Sequence, residues 1–138
     1  MIEKINGKLS QLQRSKESGD SDLIQRLLVE LEALAFDNLV LKGRLHMERA
    51  ELAEGNGDFD IAQEELFLAL ETFQQDDHGQ GAAFAAGSLG ALYGRIGDLD
   101  ISAEFTLLAR DLFLGLQDVV NAANCDHNIA RSLSLIHI

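Results

Sequence analysis

Residues 125–128 read Cys-Asp-His-Asn and place a thiol, a carboxylate, an imidazole and an amide within four positions. Such groups could ligate a metal, or pair a nucleophile with a base, provided that they converge on one point. Consecutive residues on a helix point in different directions. Cys125 instead keeps step with Ala122 and Ile129 on an apolar stripe, so a buried, inert thiol is the expectation. His46, His78 and His137 are scattered, without a Cys or His cluster beside them, and are expected to face solvent. The single cysteine excludes an internal disulfide and points to a reducing compartment.

A second candidate is "GAAFAAGSLGALYG", residues 81–94, which carries four glycines and no charge. A phosphate loop needs GxGxxG spacing between a strand and a helix, or a Gly-Lys-Ser/Thr triplet, and neither is present. The run is also too short and too rich in Gly and Ala to cross a membrane. Acidic pairs such as Glu64-Glu65 and Asp76-Asp77 are neighbours in sequence, whereas acid–base catalysis needs carboxyls that converge in a cleft. They are expected to solvate a surface. No enzyme activity, metal or cofactor is therefore expected.

The elements that must carry these residues follow from an internal repeat. "GDFDIAQEELFLALETF" (57–73) and "GDLDISAEFTLLARDLF" (97–113) agree at a shift of 40, which pairs Gly57 with Gly97, Asp58 with Asp98, Ala69 with Ala109 and Phe73 with Phe113. The same shift keeps Ala50, Gly90 and Ala130 small, and Leu45, Ala85 and Cys125 apolar. A third Gly-Asp, Gly19-Asp20, lies 38 residues before Gly57-Asp58. Apolar residues step by three and four in each segment, as in Phe59, Ala62, Leu66, Ala69 and Phe73. The spacing predicts helices near 2–17, 21–36, 38–55, 59–75, 79–96, 99–115 and 119–135. Gly19, Gly57 and Gly97 are suited to end a helix in the left-handed conformation, and Asp20, Asp58 and Asp98 to cap the next. Ala50, Gly90 and Ala130 let each first helix approach its partner closely.

Bulk properties agree with a helical domain. The 138 residues include no proline and no tryptophan, and Leu and Ala carry the hydrophobicity. The net charge of −12 is unevenly spread: residues 1–54 hold eight Lys/Arg against ten Asp/Glu, and residues 55–138 hold three against thirteen. Phosphate binding needs a basic face, so a nucleic-acid partner is not expected. The acidity mainly serves solubility and would favour basic partners. The N-terminus lacks the apolar core of a signal peptide, and no membrane association is expected; the expected location is cytoplasmic.

"SLGALYGRIGDLDISAEFTLLA" resembles a tetratricopeptide (TPR) repeat in Leu89-Gly90, Tyr93, Gly97-Asp98, Ser102 and Ala109. "AELAEGNGDFDIAQEELFLAL" is similar through Ala50, Gly57-Asp58, Ala62, Leu66 and Ala69, although Arg49 stands where the motif has leucine. The period exceeds the usual length of about 34 and suits the longer-armed variety found in signalling scaffolds and bacterial regulators. The likeness covers roughly 38–134. It implies an all-α, right-handed superhelix, an α-solenoid of antiparallel helix pairs. About three and a half repeats would form one array over 1–138, divided near 1–36, 37–76, 77–117 and a truncated 118–138.

In such arrays the first helix of each pair lines a concave groove that binds protein or peptide. Carried over, the shift aligns Arg44/Phe84/Asn124, Met47/Gly87/His127, Glu48/Ser88/Asn128 and Glu51/Ala91/Arg131. Gly87, Ser88 and Ala91 beside Phe84 would form a shallow pit. Asn124, His127, Asn128 and Arg131 would form a polar ladder for a peptide backbone. The alternative is plain helix surface. The cationic and amide clamp of chaperone-binding members is not reproduced at Met47, Glu48 and Glu51.

"RSLSLIHI" ends without the Gly-Asp turn due near 137, so a piece of a longer protein is expected, and the tail is similar to adapter read-through. Two other functions stay open: the sensory region of a bacterial regulator whose effector domain lies elsewhere, and homo-oligomerisation through the last repeat.

Overall fold

The computed structural model describes residues 2–136, with side chains through residue 131. Seven helices and no strand occur among the described residues: α1 (Ile2–Ser18), α2 (Ser21–Leu34), α3 (Leu39–Gly55), α4 (Phe59–Gln75), α5 (Gly79–Ile96), α6 (Leu99–Gly115) and α7 (Val119–Ile136). The protein is all-α. No described helix is long and apolar enough to cross a membrane. His137 and the side chains of 132–138, including the tail of the expected truncated repeat, lie outside the described residues.

The turns explain the period. The backbone N–H groups of Asp20, Asp58, His78, Asp98 and Asp118 donate to the carbonyls of Ser15, Ala53, Phe73, Tyr93 and Phe113, at 2.8 to 3.1 Å. Each is preceded by a left-handed residue: Gly19, Gly57, Asp77, Gly97 and Gln117, with φ of 75°, 80°, 51°, 97° and 63°. This bond pattern is the Schellman closure of a helix C-terminus. The last four of these turns recur every 20 residues, so the 40-residue repeat contains two copies of one helix-and-turn unit.

Capping departs from expectation at one place. Asp20 and Asp98 accept from the N–H groups of Leu23 and Ile101, but Asp58 makes no side-chain cap bond. Asn38, His78 and Asp118 cap α3, α5 and α7 in the same manner. The α2–α3 turn has no left-handed residue: Asn38 N–H reaches back only to Ala35. Helix α2 accordingly ends at Leu34 instead of residue 36, and Phe36 is left 85% exposed.

Two apolar clusters hold the helices. Leu12, Ile24, Leu27, Leu28, Leu31, Ala35, Leu41 and Leu45 join α1, α2 and the start of α3. The rest of α3 through α7 shares an Ala-rich cluster that includes Leu66, Phe73, Leu89 and Leu92. Consecutive helices pack on one another, and α3 also touches α5.

Small residues set the spacing, as the sequence implies, but not at every equivalent position. A Cβ at Gly90 would fall on the Thr106 hydroxyl and 3.2 Å from the backbone of Ser102 and Thr106. Ala50 is buried in the same role. Ala130 is exposed, because no described helix covers that side of α7. The Phe73 ring lies between Gly43 and Gly81, and a Cβ on Gly43 would come within 2.7 Å of it. Neither glycine figures in the repeat comparison.

Candidate functional site

The first helices of the pairs, α3, α5 and α7, flank two clefts. The larger, between α3 and α5, has a volume of about 810 Å³. Its floor includes the buried Ala50, Leu66 and Phe73. Met47 and Phe84 stand above them, and Phe84 is 42% exposed although it rests edge-on against Phe113, with ring centroids 5.1 Å apart. Packing on one side thus fixes the ring, while the other side stays open to the cleft. Such a rigid, half-exposed aromatic over an apolar floor is the usual anchor point for a partner's side chain.

Charged groups rim this cleft in pairs. Lys16 of α1 bridges Glu48 at 3.0 Å and Glu51 at 2.8 Å. Partial burial disfavours the charged ammonium, but the hydrogen bonds it donates to Glu51 and Glu48 outweigh this and hold the Lys16 pKa above its ordinary value. Arg95 of α5 pairs with Glu54 of α3, which ties the two walls together. Arg44 lies exposed at the opposite end.

The smaller cleft, about 440 Å³, opens between α5 and α7. Gly87, Gly90 and Gly94 form its α5 side, Ser102 and Thr106 its base, and Cys125, Asn128 and Arg131 its α7 side; Arg95 lines both clefts. The hydroxyls are committed to the protein: Ser102 donates to the Gly90 carbonyl at 2.6 Å and Thr106 to the Ser102 carbonyl at 2.7 Å.

Of the twelve groove candidates, Arg44, Met47, Glu48, Glu51, Phe84 and Ser88 line the larger cleft. Gly87, Ala91, Asn128 and Arg131 line the smaller one. Asn124 and His127 are exposed on α7 but line neither. Gly87 has its missing Cβ directed at Ala109, 3.8 Å away, so it belongs as much to the packed side as to the open one. The single pit expected around Phe84 is instead two clefts with Arg95 between them.

Phe73, Glu54, His78 and Arg95 escaped the sequence reading. Phe73 is a core residue that also lines the cleft, its ring seated against Gly43 and Gly81. Arg95 could have been found by its charge, as one of only three Lys/Arg in residues 55–138.

The histidines and the acidic pairs need correction. His46 is half-buried and its Nδ1 lies 2.6 Å from Glu65, so Glu65 joins α3 to α4 and is not a solvating residue. His78 accepts from the Gly81 N–H at 3.0 Å and caps α5. Asp77 holds a left-handed turn position.

The Cys-Asp-His-Asn run does diverge. Cys125 is buried, and its thiol pKa is pushed up chiefly by that burial. Asp126 turns to Arg110 of α6, at 3.3 Å, and His127 is exposed. No group of three or more His, Cys, Asp or Glu among the described residues could hold a metal.

No protein-family profile and no characterised protein sequence matches the chain. The crystal structure of BtubC (BKLC) from P. vanneervenii is similar in fold, with a TM-score of 0.53 at 17% identity. The similarity extends over 92% of this chain and 62% of that one, so the chain spans less than two thirds of its neighbour's length. At that identity the likeness concerns fold alone.

Proposed function

We propose that the chain is a protein- or peptide-binding module of the TPR kind and performs no chemistry of its own. In this reading the helix pairs form a right-handed superhelix, and α3, α5 and α7 line its concave side. The observation that carries the proposal is the cleft between α3 and α5. Its aromatic wall, Phe84, is immobilised by Phe113 yet 42% exposed, above a floor that contains Phe73. Burying an exposed aromatic face is worth about 1–2 kcal/mol for a ring of this size, enough to anchor a short segment.

The test is to pan a displayed library of random peptides, about a dozen residues long, against the full chain. Enriched peptides are then synthesised and titrated by fluorescence anisotropy. Phe84→Ala is expected to weaken binding at least about tenfold at unchanged helicity. Because Phe84 also packs on Phe113, a second variant fills the cleft without removing a packed group: Ser88→Trp is expected to block the same peptides. Affinity that survives both variants refutes the cleft as the binding surface.

A further inference from the structure

Charge is divided between the two sets of helices. Helices α4 and α6 carry seven Asp/Glu and one arginine, whereas α3, α5 and α7 carry four Asp/Glu and five Lys/Arg. Helix α5 has no acidic residue at all. The carboxylates at the larger cleft, Glu48, Glu51 and Glu54, are each paired with Lys16 or Arg95. The smaller cleft differs. Two of the three Lys/Arg in residues 55–138, Arg95 and Arg131, line it together with Asn128, and no carboxylate occurs among its described lining residues.

We propose that this cleft between α5 and α7 is a carboxylate-binding subsite. It receives an acidic side chain of the segment whose apolar residue lies against Phe84 in the larger cleft. The inference rests on the concave-surface reading and adds to it the charge of the partner: an apolar–acidic segment, where the overall acidity had suggested a basic one. Each part of the lining has a role in this. Gly90 and Gly94 lie directly against Thr106 and Ser102 of α6, so the α5 wall contributes no side chain at these positions. Ser102 and Thr106 spend their protons on carbonyls, so the donors left to a ligand are the guanidinium groups and the Asn128 amide. Arg95 spends part of its five-donor fork on Glu54, and its side chain remains 63% exposed. It can therefore brace the α3–α5 wall and face the ligand together. A planar carboxylate between two guanidinium groups is the pairing that favours arginine over lysine.

The experiment uses peptides enriched on the full chain, each beside a version with its Asp and Glu changed to Asn and Gln. Enriched peptides are expected to be net negative, with an acidic residue at a fixed distance from a large apolar one. Removal of the carboxylates should weaken binding about tenfold on the unaltered protein but under about twofold on Arg131→Gln. Glu54→Gln, which frees Arg95, should tighten binding a few-fold. Arg110→Gln, which alters the arginine between α6 and α7, should leave it unchanged.

Peptides that Phe84→Ala abolishes but that are neutral or basic would overturn the carboxylate subsite and leave the groove standing. So would a carboxylate effect that persists fully in Arg131→Gln. Peptides indifferent to Phe84→Ala and Ser88→Trp, or no enrichment at all, overturn both.

Discussion

Between α1 and α2 the contact is made by leucines, and between α5 and α6 it is made by glycine and alanine against serine and threonine. Leu12, Leu27, Leu28 and Leu31 fill the first hairpin and share a cluster with Leu41 and Leu45 of α3. In the second, Gly90 meets Thr106, the Ser102 hydroxyl bonds the Gly90 carbonyl, and Ala82, Ala85, Ala86 and Ala109 are all essentially sealed. Large side chains hold helices apart and bury area. Small ones bring backbones together, and each then depends on a specific neighbour. The hairpins also differ in how they join the rest. Position 89 is a sealed leucine of the shared core, but the equivalent position 49 is an arginine that reaches across to Glu32 of α2, at 2.8 Å. The first hairpin is thus attached through Leu41 and Leu45 at the start of α3 and through charged side chains further along it, and the second by continuous apolar packing. A helical array can hold repeats of different autonomy when its joints are made of different material.

The sharpest way to break this contrast is in the leucine cluster. Leu31 is 0% exposed, so Leu31→Ala should cost about 3 kcal/mol. If the clusters are energetically separate, the loss falls on α1, α2 and the start of α3. Hydrogen exchange should then show faster opening there with protection in α5 and α6 unaltered. Uniform loss of protection would mean that the two clusters act as one.

Gly90→Ala tests the other joint. The added methyl would collide with the Thr106 hydroxyl and press on two backbone atoms, so helix α5 must move from α6 at a cost of roughly 2 kcal/mol, read by urea denaturation. Thr106→Ala in the same chain should recover part of this. Full recovery would show that the hydroxyl, and not backbone proximity, demands glycine here. Gly87→Ala, whose methyl would meet only Ala109 at 3.8 Å, should be close to neutral.

A smaller effect, of opposite sign, is expected in the turns. Gln117 sits at φ 63° where the equivalent residues of the first-to-second-helix turns are glycines. Relief of the left-handed strain outweighs the extra freedom of glycine in the unfolded chain, so Gln117→Gly should stabilise by about 0.5–1 kcal/mol. Thermal melts would read it, and a drop in midpoint would mean that the Gln117 side chain contributes something its exposed position does not indicate.

The helices were almost wholly legible in the sequence because the repeat, the three-four stepping and the Gly-Asp turns all report local geometry. The turns at 77 and 117 were harder to see. Asp adopts the left-handed conformation far less readily than glycine, and Gln is not marked for it at all, so only the 20-residue spacing betrays them. Ala130 was misplaced for a different reason. The repeat comparison supplies the residue that packs, but burial needs a second helix to pack on it, and none is described. At the candidate site, Phe84 was legible as an unpaired aromatic on an otherwise small-residue helix. Its support from Phe113 and the link from Arg95 to Glu54 were not, because they join residues 29 and 41 positions apart by side-chain reach. Periodicity reports which face a residue occupies and says little about how far a long side chain extends from it.

The smallest expected effect comes from the charged joint. Lys16 bridges Glu48 and Glu51, and Arg49 reaches Glu32, with most of these groups partly exposed. Exposed pairs contribute about 0–1 kcal/mol each and are screened by salt. Raising NaCl from low to molar concentration should therefore speed exchange in α1 and α2 by a few-fold at most, with no such change in α5 and α6. The Lys16 pKa is raised in the folded protein, so its contribution is complete below the ordinary lysine value and disappears as pH climbs through the higher folded one. Alkaline conditions above about pH 10.5 should loosen the same helices, and Lys16→Met should remove that pH response while leaving the rest of the exchange pattern in place. A response that persists in Lys16→Met would assign it to another lysine, such as Lys8, which pairs with Glu30 between α1 and α2. The alkaline loosening would then arise inside the first hairpin and not at its joint with α3.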